Sequence, residues 1–185
     1  MYNPEHVKIG DILCYKTEGF DPIGELIKLF SGAGKYSHSA IYIGNGRIIE
    51  SHIDTGVVEK ELNPKWYKKI DMYRHKKILY KNQPIQKLRD ELRTSFIYYA
   101  KSYIGCTYDI GAFPATFVHS TIGKIFNSAE LQRATPWLND KNSFYCSELV
   151  AKIYLDCGLN IDTDLNWQSV TPSDIGRSKE LVRII

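Results

Sequence analysis

Two strand-like runs joined by a glycine-rich turn constrain the fold of this chain more than any other sequence feature. Residues 37–43 read SHSAIYI and residues 47–52 read RIIESH, with Gly44-Asn45-Gly46 between them. Such a turn is typical of a β-hairpin, because asparagine and glycine tolerate the positive φ angles that tight turns require. The chain is therefore expected to build an antiparallel sheet around residues 37–52.

The length of this turn decides which side chains share a face of the hairpin. With a three-residue loop, Glu50 lies on the same face as His38 and becomes its diagonal neighbour. With a two-residue Asn45-Gly46 loop, Glu50 lies on the opposite face. Only the first arrangement gives His38 a carboxylate to fix its tautomer, as a catalytic imidazole requires. His52 is an alternative orienting residue, whereas a lone strand histidine is more often structural.

Cys146 is the candidate nucleophile. Apolar residues recur from this position with the period of a helix, at residues 146, 149, 150, 153 and 154. Ser143 is a candidate N-cap, which places Cys146 in the first helical turn. Backbone N–H groups and the helix dipole there stabilise a thiolate and can bind an oxyanion. The competing interpretation is a small buried residue on an apolar helix face, which is the commoner fate of a cysteine.

The composition fits one soluble domain. The chain has 185 residues, of which 43% are hydrophobic and 24% charged, so it is long enough for one domain with a real core. The N-terminal stretch holds Asp11 and Glu18 and no long apolar run, which indicates neither a signal peptide nor a transmembrane segment. We therefore expect a cytoplasmic protein.

The cysteines lack the spacing of a metal site or a redox pair. They are Cys14, Cys106, Cys146 and Cys157. None of them lies in a C-x-x-C motif, which is compatible with reduced thiols. No pair of ligands has a recognised zinc-site spacing, which disfavours a metal site that joins Cys146 to His38 and His52. The sequence therefore predicts neither a metal nor a cofactor.

Positive charge is concentrated in residues 60–93. This segment has eleven lysines and arginines against four acidic residues, a balance of +7, whereas the whole chain carries +3. Aromatic residues are interleaved with the charges, so the segment could contact nucleic acid or, as a peripheral surface, an anionic membrane. A solvated face is favoured, because the charges are spread over several elements without a nucleic-acid-binding motif. No nucleic-acid partner is expected.

Further strands and helices are expected on either side of the hairpin. Residues 8–15 have the pattern of a turn that leads into a short strand, and three more segments have strand-like patterns, at residues 56–58, 70–74 and 181–185. Helices are expected to begin at Asp21-Pro22 and at Gln83-Pro84, the second continuing as an amphipathic helix that stops at Gly105. Residues 171–175 have the pattern of a short capped turn. The chain therefore mixes strands and helices.

Residues 111–142 form an irregular, aromatic insertion. The large side chains of this stretch include Phe113, Phe117 and Trp137. A loop of this length in a compact domain usually forms a lid, a binding wall or an interface. Large aromatics are costly to leave in water, and the stretch runs directly into the Cys146 helix. We therefore predict that these three aromatics line the substrate cleft and set substrate choice.

Three separated blocks together resemble a known family. The blocks are residues 37–44 with Glu50, residues 105–109 (GCTYD) and residues 145–150 (YCSELV). They are similar to the circularly permuted branch of the NlpC family of papain-like cysteine peptidases, the YiiX/YaeF-like group related to lecithin retinol acyltransferase. Gly10-Asp11-Ile12 and residues 171–174 also look like this group, so the resemblance spans nearly the whole chain.

The resemblance implies a single permuted papain-like domain over residues 1–185. Its α+β fold would pack an antiparallel sheet or small barrel against the nucleophile helix, with the histidine strand before that helix in sequence. By carry-over, Cys146 matches the nucleophile, His38 the base and Glu50 the residue that orients the base. These are the same three residues that the local patterns select.

The leading functional hypothesis is a thiol hydrolase, a cysteine peptidase or amidase that works through an acyl-enzyme on Cys146. The Cys146 N–H would bind the oxyanion, with Tyr36 or Tyr145 as further candidate donors. The resemblance implies a peptide or an acyl-lipid as substrate, and an acyltransferase is one alternative. A non-catalytic binding module on the same fold is the alternative from a different class. The sequence makes no prediction of the oligomeric state.

Overall fold

The computed structural model of this chain describes residues 7–16, 35–52, 54–63, 65, 69–79, 86–109, 142–161 and 166–184, with the backbone alone at 86–89. Three predicted features lie outside these residues. They are the helix expected at Asp21-Pro22, the start of the second helix at Gln83-Pro84, and almost all of the aromatic insertion, including Phe113, Phe117 and Trp137. What the sequence predicts for them stays a prediction.

The described strands form one antiparallel sheet. They are β1 (Ile12–Lys16), β2 (Tyr36–Gly44), β3 (Arg47–His52), β4 (Gly56–Glu61), β5 (Ile70–His75) and β6 (Leu181–Arg183). Their order across the sheet is β4-β3-β2-β1-β5-β6, and each neighbouring pair is antiparallel. The predicted hairpin and antiparallel sheet are confirmed, and the four other predicted strand segments correspond to β1, β4, β5 and β6 with shifted ends.

Helices account for much of the remaining described chain. They are α1 (Lys76–Leu79), α2 (Gln86–Ser102), α3 (Cys146–Asp156), a 3-10 helix (Trp167–Ser169) and α4 (Pro172–Arg177). The expected capped turn is the start of α4, where the Thr171 hydroxyl accepts the Asp174 N–H and the Asp174 carboxylate accepts the Thr171 N–H. The predicted α+β class is thus confirmed. Among the helices described, none is both long and apolar enough to cross a membrane.

The β2-β3 hairpin combines both of the turn geometries considered for it. Asn45-Gly46 form a two-residue turn in the left-handed region, with φ angles of 51° and 71°. A bulge in β2 just before the turn adds one residue to that strand and shifts the register by one residue. Beyond the bulge, Ile41 therefore pairs with Ile49. This pairing is the one expected from a three-residue loop. Continued toward the start of β2, it makes Glu50 a diagonal neighbour of His38.

Helix α3 packs against β2 and β3. Its Leu149, Val150 and Ile153 side chains are fully buried in the same apolar cluster as Ile41 and Ile49 of the hairpin. Burial of each such side chain contributes about 1.5–3 kcal/mol to stability. The apolar core therefore holds the N-terminus of α3 in a defined position against the two strands that carry His38 and Glu50.

Candidate active site

Cys146 is the first residue of α3. The residue before it, Tyr145, is the N-cap, and its N–H donates to Glu148 Oε2 over 3.3 Å. The prediction that Cys146 lies in the first turn is confirmed, whereas the prediction of Ser143 as N-cap is wrong. Ser143 forms a parallel β-bridge with Thr107, so it belongs to the extended segment that leads into the helix and cannot also begin it.

The backbone just before the helix is fixed on both sides at Phe144. Its N–H donates to the Thr107 carbonyl over 3.0 Å, and its carbonyl accepts the Ser51 hydroxyl over 2.6 Å. Ser51 is fully buried and follows Glu50 directly in β3. The start of α3 is therefore tied to the strand that carries Glu50.

Cys146, His38 and Glu50 form a connected chain of hydrogen bonds. His38 Nε2 lies 2.9 Å from Glu50 Oε2. A second side-chain hydrogen bond joins the His38 ring to Cys146. Because Glu50 occupies Nε2, Nδ1 is the ring nitrogen left to bond to the thiol. The structure therefore brings together the three residues selected from the sequence, in the order nucleophile, imidazole, carboxylate.

The thiol and the imidazole shift each other's pKa. Burial raises the pKa of Cys146, but the charge and hydrogen bond of His38 outweigh burial and bring it below its ordinary value. The backbone N–H groups of Ser39 and Ser147 act in the same direction. Burial lowers the pKa of His38, but Cys146 and then Glu50 raise it to about 10. At neutral pH these shifts favour a thiolate beside an imidazolium.

Glu50 remains ionised although its side chain is only 9% exposed. Burial raises its pKa, but His38 and then Lys60 lower it to about 2. Lys60 Nζ lies 2.8 Å from Glu50 Oε1, on the oxygen that His38 does not use. The sequence patterns did not identify Lys60, because its place beside Glu50 depends on the pairing of β3 with β4.

His52 and Tyr15 are the aromatic neighbours of His38. The His52 ring is 6.4 Å from the His38 ring, centroid to centroid, and its Nδ1 lies 3.6 Å from Asp54 Oδ2. The Tyr15 ring is 5.3 Å from the His38 ring. Of the two candidates for orienting His38, Glu50 makes the hydrogen bond, whereas the His52 ring meets the His38 ring edge to face.

Backbone donors surround the Cys146 sulfur. The first hydrogen bond within α3 runs from the Leu149 N–H to the Tyr145 carbonyl, so the N–H groups of the residues before Leu149 have no acceptor inside the helix. The N–H groups of Ser147 and Ser39 instead bond to the sulfur. N–H groups in this position are the donors that an oxyanion on an attacked carbonyl would need.

The hydroxyl groups of the two predicted oxyanion tyrosines have other partners in this structure. Tyr36 Oη lies 2.6 Å from Asp71 Oδ2 and 2.6 Å from Tyr73 Oη. Tyr145 Oη donates to the Gln168 carbonyl over 2.9 Å. Either tyrosine would have to exchange a hydrogen bond to contact an oxyanion. The role of Tyr36 or Tyr145 as an oxyanion donor stays a prediction.

A second carboxyl group lies in the first turn of α3. Burial raises the pKa of Glu148 to about 8, with the Asp109 charge acting in the same direction. Glu148 is therefore mostly protonated at neutral pH and adds little negative charge near the Cys146 thiolate. Burial and the charge of Cys146 also raise the pKa of Tyr108. Sequence patterns did not identify Glu148, because burial, the largest cause of its raised pKa, depends on the folded structure.

Comparison with protein-family models and with curated protein sequences gives no match for this chain. It matches no model of a known protein family, and no curated protein sequence is significantly similar to it. Within the parts of the chain that the structure describes, no three histidine, cysteine or acidic side chains are arranged to hold a metal ion. Function is therefore inferred from the geometry of the Cys146 site.

Cys146 is expected to react with iodoacetamide before the other cysteines near pH 7. Its pKa is lowered, whereas burial raises that of Cys14 far above the ordinary value and that of Cys157 to about 12. Exposure alone predicts another order, because Cys106 and Cys157 are partly exposed and Cys146 is 1% exposed. Peptide mass spectrometry across a pH series identifies the labelled residue and its rate.

The pH dependence of this labelling has a defined direction. Because the pKa of Cys146 is lowered, its labelling should stay fast below the ordinary thiol range and fail only at more acidic pH. Glutathione is the control thiol, and His38→Ala should move the Cys146 profile toward that of glutathione. Faster native labelling of Cys106 or Cys157 would remove the basis for Cys146 as nucleophile.

Proposed function

We propose that this protein is a thiol hydrolase, a cysteine peptidase or amidase that cleaves an amide or ester bond through an acyl-enzyme on Cys146. The observation that carries the proposal is the hydrogen-bonded order Cys146, His38, Glu50. A core cysteine requires no imidazole partner, and a structural histidine requires no thiol on one nitrogen and carboxylate on the other. A nucleophile, its base and the group that orients the base require this combination.

Acylation would use all three residues, Cys146, His38 and Glu50. His38 Nδ1 holds the proton given up by Cys146, and the thiolate sulfur attacks the substrate carbonyl carbon to form a C–S bond. The electron pair of the carbonyl moves to its oxygen, where backbone N–H groups at the start of α3 can donate to it. Glu50 accepts the Nε2–H of the imidazolium and stabilises its charge. The imidazolium then returns the proton to the leaving nitrogen or oxygen as that bond breaks.

Deacylation would reverse the roles with a second nucleophile. His38 takes a proton from water, the hydroxide oxygen attacks the thioester carbon, and the C–S bond breaks to release an acid and regenerate Cys146. An alcohol or amine in place of water would make the same site an acyltransferase. The two activities therefore differ only in the acceptor that reaches the acyl-enzyme.

The fold supports a permuted papain-like arrangement as part of the same proposal. The histidine strand β2 precedes the nucleophile helix α3 in sequence, and α3 packs against β2 and β3 of an antiparallel sheet. The proposed substrates are peptides with amide bonds and acyl-lipids with ester bonds. The aromatic side chains of residues 111–142 are the proposed wall that selects between them.

An acyl adduct on Cys146 is the expected result of incubation with a suitable donor. Intact mass measurement after mixing with a p-nitrophenyl ester, a peptide panel and an acyl-lipid panel should show a gain equal to the acyl group. Peptide mapping should place the gain on Cys146, and Cys146→Ala should abolish it. Cys106→Ala is the matched control and should retain it. Binding of a donor without any adduct or product would favour the non-catalytic module.

A further inference from the structure

Glu50 lies between two cross-strand neighbours that use different carboxylate oxygens. His38 on β2 contacts Oε2 at 2.9 Å, and Lys60 on β4 contacts Oε1 at 2.8 Å. In the β3-β4 pairing, Lys60 lies opposite Ile48, one diagonal step from Glu50. The two neighbours therefore lie on opposite sides of Glu50 and toward opposite ends of β3.

The chemistry of lysine makes this contact directional. A lysine ammonium has only donors, so Lys60 donates to Glu50. Because Glu50 is ionised at neutral pH, its carboxylate can only accept. The Nε2 of His38 must then carry hydrogen, which leaves Nδ1 to take the proton of Cys146. We propose that Lys60 is a positioning residue of this active site: it binds one carboxylate oxygen of Glu50 and thereby aims the other at His38. The proposal rests on the proposed function.

Burial makes Glu50 dependent on protein partners. Its side chain is 9% exposed, so water has little access to its carboxylate group. A comparable pair lies on the other face of β4, where Lys101 Nζ is 3.2 Å from Glu59 Oε2. Glu59 is 23% exposed and also binds Arg47. Lys101 is 49% exposed against 43% for Lys60, which makes it a matched control.

The charged and titratable groups around the His38-Glu50-Lys60 row define the electrostatic effect of Lys60. Three side chains lie against the His38 ring: Cys146 from α3, Tyr15 from β1, and His52 from the end of β3, where it lies beside Asp54. On Glu50, the His38 imidazolium binds one carboxylate oxygen and the Lys60 ammonium binds the other. Lys60 therefore opposes the charge of the His38 imidazolium, and its removal should make that imidazolium more stable.

Lys60→Met is expected to have two effects. The titration midpoint of His38 should move to higher pH, because a neighbouring positive charge is lost. The kcat should fall by up to about fivefold with KM unchanged, since Glu50 loses the contact that orients it; this factor is the usual scale of a partly exposed ion pair. Lys60→Arg retains a cation that only donates, and it should restore both properties.

NMR of histidine side chains labelled with ¹³C measures the midpoint, with the His38 signal assigned by its loss in His38→Ala. Turnover gives kcat and KM, and thermal unfolding records the stability of each variant. A midpoint that moves to higher pH in Lys60→Met but not in Lys101→Met supports the proposal even if no substrate is turned over, so failure of the proposed function is seen separately. An unchanged midpoint, an equal shift in Lys101→Met, or a change confined to melting temperature overturns it.

Discussion

Replacing His38 with alanine is expected to lower kcat/KM by about 10⁴-fold for any substrate that acylates Cys146. The imidazole takes the thiol proton and returns it to the leaving group, and its charge and hydrogen bond hold the pKa of Cys146 below the ordinary value. Alanine removes both functions, so the thiol stays protonated at neutral pH and the leaving group has no acid. Steady-state kinetics with the donor that forms the adduct measures the loss.

His52→Ala is the matched control for this loss. Both histidines belong to the β2-β3 hairpin and their ring centroids are 6.4 Å apart, but His52 is 43% exposed and lies beside Asp54. Its removal should change kcat/KM by no more than about twofold, the usual scale of a surface substitution. Equal losses in the two variants would contradict the assignment of His38 as the base. Circular dichroism of both proteins checks that the hairpin remains folded.

Gly56→Ala is expected to destabilise the folded protein by about 3–5 kcal/mol. Gly56 has a φ angle of 64°, and an added Cβ would meet the Cys106 carbonyl oxygen well inside van der Waals contact. That oxygen accepts the Val57 N–H over 2.8 Å, so relief of the overlap breaks a bond between β4 and the segment after α2. Urea unfolding at constant pH measures the free energy of unfolding.

Gly158→Ala separates the overlap from the strain of the backbone. Gly158 has a similar φ angle of 73°, but an added Cβ there would have nothing within 4 Å. This variant should lose only about 1–2 kcal/mol, the cost of the left-handed conformation for a residue with a Cβ. Equal losses in the two variants would show that the Cys106 carbonyl can move away from the added Cβ without a loss of stability. The predicted cost of the overlap would then be wrong.

The features predicted correctly from the sequence depend on short stretches of chain. The position of Cys146 in the first turn of α3 follows from the spacing of apolar residues in a single helix. The β2-β3 hairpin follows from its turn residues and the β-branched residues beside them. The N-cap was wrong because Ser143 pairs with Thr107, which is distant in sequence and invisible to a local pattern.

The contact between His38 and Glu50 could not be predicted from local sequence patterns. The turn residues favour a two-residue loop, which without a bulge would place Glu50 on the opposite face. The bulge in β2 shifts the register by one residue, which places Glu50 on the same face as His38. A bulge depends on how the whole strand packs against its neighbours and α3, so the sequence of the hairpin alone left both geometries open.

The residue types available for chemistry, and the element that carries each, can be read from the chain without its fold: a cysteine at the start of a helix, and a histidine and a glutamate in two paired strands. Which of these side chains meet depends on the folded sheet, because β3 lies between β2 and β4 and Glu50 can reach both neighbours. Lys60 became a partner of Glu50 through that second pairing. Such contacts join residues whose positions depend on the packing of the whole sheet, and burial then sets how strongly their charges act on one another.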